Sequence, residues 1–271
     1  MYPQGIAGSV LAHKLKTPIL LIGITEAEQG KVLDYLKTNL DLSGTVYILG
    51  GSGAVSNAIA AKVNSLGFQN ITRLNGRDRY ETAVEITANL EVKTGTPVIL
   101  VSGESYPDAL SVSSTAAILK YPILLIQEDG KDEEVSKKIA EIQPEKIYII
   151  GGEGVISSAV QSDAAQIASL APENIIRIGG SDRYKTSLAI ANYFNLSGQN
   201  VCVATGKNFP DALAGSVYAA KNKAPIILID GSLEDDQIDY LTAAKMIGVT
   251  LFGGEAVISK EIGWQLEQLI R

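Results

Sequence analysis

Two arginine-bearing segments with the same spacing of charged and polar residues are the first candidates for binding chemistry. R-L-N-G-R-D-R-Y-E-T-A at 73–83 returns as R-I-G-G-S-D-R-Y-K-T-S at 177–187, 104 residues further on. A guanidinium presents its N–H donors as a planar fork that matches carboxylates and phosphates. Arg77, Arg79 and Arg183 are therefore candidate residues for binding an anionic group.

The same arginines have a purely structural alternative. Asp108 and Asp211 each follow a proline at the predicted start of a helix, where an acidic residue is favourable. Arg79 and Arg183 could form ion pairs with these carboxylates and serve only the fold. In the functional interpretation, all four residues belong to a site that meets a repeating anionic polymer at regular intervals.

The residue types that most enzymes use are scarce. The chain has one histidine, His13, and one cysteine, Cys202, which lies in the apolar run V-C-V-A and is predicted to be buried. H-E-x-x-H, C-x-x-C, G-x-S-x-G and the P-loop motif do not occur. We therefore expect no catalytic centre, no metal site and no cofactor. The alternative is an α/β enzyme that acts on phosphate or nucleotide ligands at the carboxyl ends of its sheets.

Composition limits the partners. The 271 residues are 46% hydrophobic and 20% charged, with a net charge of −7. An acidic balance argues against nucleic acid, which calls for a basic face, and against anionic membranes. No stretch of about 20 apolar residues predicts membrane insertion.

Two further landmarks recur with the arginine segments and define the repeat. Strands opened by proline occur at 18–23, 122–127 and 225–230, and strands that end in a glycine pair occur at 46–51, 147–152 and 249–254. Internal repeats of this kind indicate homologous units. We predict three of them: 1–72, which is N-terminally truncated, 73–176 and 177–271. The truncated unit is expected to expose a strand edge.

The second unit predicts the order of elements. Its segments read as a helix at 78–90 capped by Asp78, a strand at 97–103, a helix at 106–120, a strand at 122–127, a charged helix at 131–142 and a strand at 147–152. Glu81 completes a capping-box pattern with Asp78. Ser157 is placed to cap a further helix, as are Ser56 and Ser259 in the other units. Continuous apolar strands that alternate with helices predict small parallel-sheet α/β sandwiches.

The combination of motifs resembles the cell-wall-binding repeat 2 family of Gram-positive, clostridial-type surface proteins. The matching residues are G-R-D-R-Y-E-T-A at 76–83, G-S-D-R-Y-K-T-S at 180–187, Y-P-D-A-L-S at 106–111, F-P-D-A-L-A at 209–214, the proline-opened strands and the glycine pairs. The resemblance covers the whole chain. It implies three Toprim-like α/β units in a pseudo-threefold arrangement. The first unit departs from the pattern, since Gln4-Gly5 stands where the others have Asp-Ala.

The resemblance also implies a function. It indicates a non-catalytic, extracellular module at the cell wall or cell surface that holds a secreted protein non-covalently to an anionic wall polysaccharide or a teichoic-acid-like polymer. An effector domain is expected in the full-length protein. In the family the I-L-L strand is tied to anchoring, and it corresponds to Ile19, Leu20, Leu21, Ile123, Leu124, Leu125, Ile226, Ile227 and Leu228. Self-association into a surface array is a third possibility.

Overall fold

The computed structural model describes residues 4–130, 132–196 and 199–270. The first three residues of the predicted first unit and the last residue of the third lie outside the described residues. From the strand Thr45–Leu49 onwards helices alternate with strands, and every strand pair among the described residues is parallel. The prediction of tandem parallel α/β units is confirmed.

The first region forms two strands and three helices. In chain order they are α1 (Gln4–Leu15), α2 (Glu26–Asn39), β1 (Thr45–Leu49), α3 (Asn57–Ser65) and β2 (Asn70–Leu74). The proline-opened segment at 18–23, predicted as a strand, forms no strand here. Its counterparts in the other units pair with a central strand that the described residues do not provide beside this segment.

The second region contains the largest sheet. Its elements are α4 (Arg79–Ala88), β3 (Val98–Ser102), α5 (Tyr106–Leu119), β4 (Ile123–Ile126), α6 (Glu133–Ile142), β5 (Ile147–Ile150), α7 (Ser158–Ala168) and β6 (Ile175–Ile178). The strand order is β4-β3-β5-β6. β3, β4 and β5 are buried along their whole length, because helices cover both faces of the sheet.

The third region repeats most of this order. Its elements are α8 (Arg183–Phe194), β7 (Asn200–Thr205), α9 (Pro210–Lys221), β8 (Ile226–Ile229), α10 (Asp235–Ala243), β9 (Gly248–Phe252) and α11 (Lys260–Leu269). The strand order is β8-β7-β9. Cys202, in the central strand, is buried as predicted.

Strands β2 and β6 connect neighbouring units. β2 follows α3 and completes the sheet of β1, and β6 follows α7 and completes the sheet of β5. The predicted boundaries at 72/73 and 176/177 therefore fall inside strands that belong to the sheet of the preceding unit. The segment after each of these strands begins the next unit.

Three equivalent helices meet at the centre of the molecule. α1, α5 and α9 each pack against the other two, as a pseudo-threefold arrangement requires. Small side chains permit the close approach: Ser9 Oγ lies 3.2 Å from the carbonyl oxygen of Ser113, its counterpart in α5. α5 is apolar or small around its whole circumference, which is typical of a helix buried on all sides.

No helix among the described residues combines the length and the apolar character needed to cross a bilayer.

Candidate binding site at the carboxyl edges of the sheets

The aspartate of each D-R-Y segment caps the helix that follows. The carboxylate of Asp78 accepts hydrogen bonds from the backbone N–H groups of Tyr80 and Glu81, both at 2.9 Å. Asp182 makes the same two bonds at the start of α8. The predicted capping box is only half formed, because Glu81 accepts a bond from the backbone N–H of Arg77 instead. The caps fix the arginine beside each aspartate at the N-terminus of a helix.

Arg79 and Arg183 occupy equivalent places at the carboxyl ends of the central strands. Arg79 Nη1 donates to the carbonyl oxygen of Gly103 at 2.6 Å, directly after β3. Arg183 Nη1 donates to the carbonyl oxygen of Gly206 at 2.7 Å, directly after β7. A guanidinium has five N–H donors, so this bond leaves donors for an anion. Arg79 is exposed and Arg183 is half-buried.

Arg77 has a different environment. Its side chain is exposed and forms an ion pair with Glu81 one helical turn further on. This pairing lowers the pKa of the Glu81 carboxyl. The third unit has Ser181 and Lys185 at the corresponding positions, so the pair belongs to the second unit alone.

Asp108 faces the following unit rather than the arginine of its own unit. It is 7% exposed and accepts a hydrogen bond from the hydroxyl of Thr186. Burial raises the pKa of its carboxyl, and the Thr186 hydroxyl and the nearby Arg183 guanidinium oppose this rise. The structural alternative placed Arg79 against Asp108, whereas the cation that acts on Asp108 is Arg183. Asp211, its counterpart in the third unit, lies beside Gly253 and is half-buried.

The I-L-L triplets of the second and third units lie inside their sheets. The side chains of these six residues are at most 1% exposed: Ile123, Leu124, Leu125, Ile226, Ile227 and Leu228. They have no surface to offer to a polymer in this conformation. In the first unit, Ile19 and Leu21 are half-buried and Leu20 is exposed.

A groove of about 380 Å³ lies at the carboxyl edge of the third sheet. Its lining includes Thr205, Lys207, Asn208, Gly231, Glu255 and Ser259. Open α/β sheets bind ligands at this edge. Lys207 Nζ lies 2.7 Å from Asp230 Oδ1, and this ion pair lowers the pKa of the Asp230 carboxyl. Arg183 lies near the groove but is not among its lining residues; its side chain packs against Gly206, the neighbour of Lys207.

Lys207 and Asn208 were not among the residues predicted from the sequence. Both stand in the loop T-G-K-N-F-P after a buried strand, and that position was the available signal. Comparison of the repeats did not indicate a site at these two positions, because the second unit has Glu104 and Ser105 where the third has Lys207 and Asn208.

The part of the chain that the structure describes contains no group of three His, Cys, Asp or Glu residues placed to hold a metal ion.

Comparison with known proteins gives a consistent picture. The sequence model of the family described as cell wall binding domain 2 matches residues 2–60, 73–161 and 177–263. The chain is 29% identical over 269 residues to the N-acetylmuramoyl-L-alanine amidase LytC of Bacillus subtilis (strain 168), covering 98% of this chain and 51% of the relative. It is 31% identical over 222 residues to the amidase enhancer of the same organism, covering 79% of this chain and 30% of the relative.

Two solved structures share the fold over nearly the whole chain. Cwp8 from Clostridium difficile superposes with a TM-score of 0.82 at 26% identity, over 99% of this chain and 45% of that chain. Cwp6 from the same organism gives a TM-score of 0.77 at 25% identity, over 93% and 40%. The chain thus spans about half or less of the length of these relatives.

Proposed function

The chain belongs to the cell wall binding domain 2 family, and from this we propose that it binds an anionic wall polysaccharide or teichoic-acid-like polymer and thereby anchors a larger protein non-covalently. The family indicates a location at the cell surface or wall. The proposal includes no catalytic step in this module.

One observation carries the choice of site. Arg79 and Arg183 lie 104 residues apart in the sequence, and each donates one hydrogen bond to the carbonyl that ends the central strand of its sheet. The bond holds the guanidinium at the edge where open α/β sheets bind ligands, while its other donors can pair with phosphate or carboxylate oxygens. Two equivalent arginines on one chain suit a polymer whose charges recur along its length.

The acidic net charge is compatible with an anionic ligand because binding depends on the local arrangement. Lys207 adds a second cation beside Arg183 at the groove of the third sheet, although Asp230 partly neutralises it. The groove also offers the hydroxyls of Thr205 and Ser259 and the amide of Asn208. Such groups suit sugar hydroxyls, so the groove could hold one sugar while Arg183 meets an adjoining charge.

The remaining candidate residues have supporting roles in this proposal. The I-L-L residues of the second and third units form the core under the arginine-bearing loops, and their contribution to anchoring is to hold those loops in place. Asp108 holds neighbouring units together, and Asp211 lies at the corresponding place of the third unit. Arg77 makes a peripheral contact at most, because Glu81 already pairs with it.

The test is co-sedimentation with purified wall fractions, with and without their anionic polymers. The double variant Arg79→Ala/Arg183→Ala is expected to bind the complete wall about tenfold or more weakly, since each lost charge-assisted bond costs a sizeable part of the affinity. Lys37→Ala/Lys137→Ala, on exposed faces of α2 and α6, removes the same charge and should bind normally. Equal binding by both double variants would show that the arginines are not part of the site. Equal binding of the wild type to complete walls and to walls stripped of anionic polymers would show that the anionic polymer is not the ligand.

We also propose that the chain acts beside an effector region. The amidase and the amidase enhancer that it resembles are about twice its length or more, which fits an anchoring module within a larger wall protein.

A further inference from the structure

The two arginine sites share a backbone geometry but have different neighbouring charges. Each arginine donates to the carbonyl oxygen of a glycine, Gly103 in the second unit or Gly206 in the third. The residue that follows this glycine is Glu104 in the second unit and Lys207 in the third. The position next to the bonded carbonyl therefore carries a carboxylate in one repeat and an ammonium group in the other.

The tyrosine of each D-R-Y segment packs against the same glycine. A Cβ atom at Gly103 would lie 2.3 Å from Cε1 of Tyr80, and one at Gly206 would lie 2.5 Å from Cε1 of Tyr184. Glycine permits this close approach because it has no side chain. Each phenol is thus held beside the loop that follows the central strand, and the two sites can be compared group by group.

Each phenol meets a carboxylate, but the carboxylate comes from a different place in the chain. The Tyr80 hydroxyl interacts with Glu104, and burial together with this carboxylate raises the pKa of Tyr80. The Tyr184 hydroxyl interacts with Asp230, directly after β8, and burial and the Asp230 carboxylate raise the pKa of Tyr184. At the position of Asp230 the second unit has the neutral Gln127. The contact between phenol and carboxylate is therefore common to both repeats, whereas the charge after the glycine is reversed.

The carboxylate of the third-unit site is paired with a cation. Lys207 Nζ lies 2.7 Å from Asp230 Oδ1, and the two side chains are 63% and 49% exposed. An ammonium group has three donors, so Lys207 can bind a ligand and keep this pair. Among the described residues, no lysine or arginine nitrogen lies within 4.0 Å of the Glu104 carboxylate oxygens. The negative charge of Glu104 is therefore not neutralised in the same way.

Two further carboxylates leave this contrast in place. The exposed Glu128 stands where the third unit has Gly231, and it adds negative charge to the second unit. Asp108 acts on Arg183, but it is buried and bonded to Thr186, and burial raises the pKa of its carboxyl, which favours the neutral form. An anion that approaches from solvent therefore meets more positive charge at the third-unit site than at the second-unit site.

We propose that Arg183 and Lys207 form the principal anion subsite of this module, that Arg79 and Glu104 form a weaker one, and that the residue after each glycine determines the difference. The inference rests on the proposed function and refines it, since the charged groups of the polymer bind mainly at the third sheet. At the second sheet the Glu104 carboxylate opposes the charge of the polymer. Lys207 and Glu104 are thus specificity-determining residues.

The experiment compares single arginine variants in two backgrounds by co-sedimentation with purified walls that carry their anionic polymers. In the wild type, Arg183→Ala should weaken binding more than Arg79→Ala does, by about threefold or more. In the exchanged protein Glu104→Lys/Lys207→Glu the order should reverse, because the cation then follows the glycine that Arg79 binds. Both differences should shrink at about 1 M salt, where the Debye length is about 3 Å. A purely structural role of the two positions would give neither the reversal nor the salt effect.

The control exchanges the same charges away from both sites. Lys37→Glu/Glu267→Lys, on exposed faces of α2 and α11, should leave the order of the two arginine variants as in the wild type. Circular dichroism verifies that each variant is folded.

The outcomes separate this inference from the proposed function. Equal losses from the two arginine substitutions in the wild type, or the same order in both backgrounds, would overturn the inference and leave the proposed function standing. Binding that neither arginine substitution weakens would overturn both.

Discussion

Asp108, in α5 of the second unit, accepts a hydrogen bond from the hydroxyl of Thr186, in α8 of the third unit. Thr186 Oγ1 in turn accepts a hydrogen bond from the backbone N–H of Gly180 at 3.0 Å. One hydroxyl therefore connects a buried carboxylate with the loop of the next unit. In the first unit the neutral amide of Gln4 lies beside Gly50 at the corresponding place, and the hydroxyl of Thr82 donates to the carbonyl oxygen of Asp78.

Replacing Asp108 with asparagine should change how stability depends on pH. Burial raises the pKa of the Asp108 carboxyl above 3.8, so the folded protein binds this proton more tightly than the unfolded chain. The stability associated with the group is then fully present below the unfolded pKa and falls as pH rises through the folded pKa. Asp108→Asn has no carboxyl to ionise at this position and therefore lacks this loss. The free energy of unfolding of the variant should increase relative to that of the wild type as pH rises from about 4 to about 7.

Urea denaturation at the two pH values measures the difference. Asp239→Asn makes the same chemical change on the exposed face of α10 and supplies the reference. An Asp108→Asn variant that loses stability relative to the wild type as pH rises would show that Arg183, rather than burial, dominates the environment of Asp108.

The local elements could be predicted from the sequence because their signals lie within a few residues. Asp78 and Asp182 are followed by helices that they cap, and Ser56 and Ser157 accept the N–H of the residue three positions on. Hydroxyl and carboxylate caps act within one turn of the chain. The apolar strands likewise predicted the parallel sheets, since strands covered on both faces need no polar alternation.

The joints between units could not be predicted in the same way. A repeat shows that Asp108 and Asp211 are equivalent, but not which copy of the D-R-Y segment each one meets. That choice depends on how the units pack, and the structure places Thr186 of the next unit against Asp108. The groove beside Lys207 was not predicted for a related reason: the second unit has Glu104 at the position of Lys207, so the repeats share no cation there.

A glutamine at position 60 should stabilise the protein. Arg73 Nη2 is buried without a hydrogen-bond partner among the described residues, whereas Arg177 bonds Gln161 through both Nε and Nη2. Ala60 stands ten residues after Gly50, as Gln161 stands ten after Gly151. Ala60→Gln should therefore raise the free energy of unfolding by about 1 kcal/mol.

Denaturation of a double-mutant cycle tests the mechanism. Ala60→Gln should stabilise the wild type but not the Arg73→Ala variant, because the gain requires the guanidinium. Ala61→Gln, at the exposed neighbouring position, controls for helix propensity. The same gain from both glutamines would indicate a general effect of the side chain and not a bond to Arg73.

The I-L-L triplets should differ in their contribution to stability. Leu124→Ala removes a fully buried side chain and should cost about 2–5 kcal/mol, because it leaves a cavity in the second sheet. Leu20→Ala, at the equivalent but exposed position of the first unit, should cost much less. Thermal or urea denaturation of the two variants gives the comparison directly.

Wall binding adds a second measurement to the same pair. If the triplets act only as a core, each variant should bind polymer in proportion to its folded fraction. A well-folded Leu20→Ala variant that fails to bind would show a direct contact between polymer and the exposed triplet.

Polymer binding should weaken as salt is added. Arg79 is exposed and Arg183 is half-buried, so their attraction to an anionic polymer is screened when the Debye length falls from about 10 Å at 0.1 M to about 3 Å at 1 M salt. Co-sedimentation of the wild type over this range should show a steep loss of binding, and the residual binding of Arg79→Ala/Arg183→Ala should depend less on salt. The Lys37→Ala/Lys137→Ala variant should keep the steep dependence of the wild type. Parallel slopes for all three proteins would mean that the two arginines do not meet the charges of the polymer, and that contacts such as those of the groove dominate.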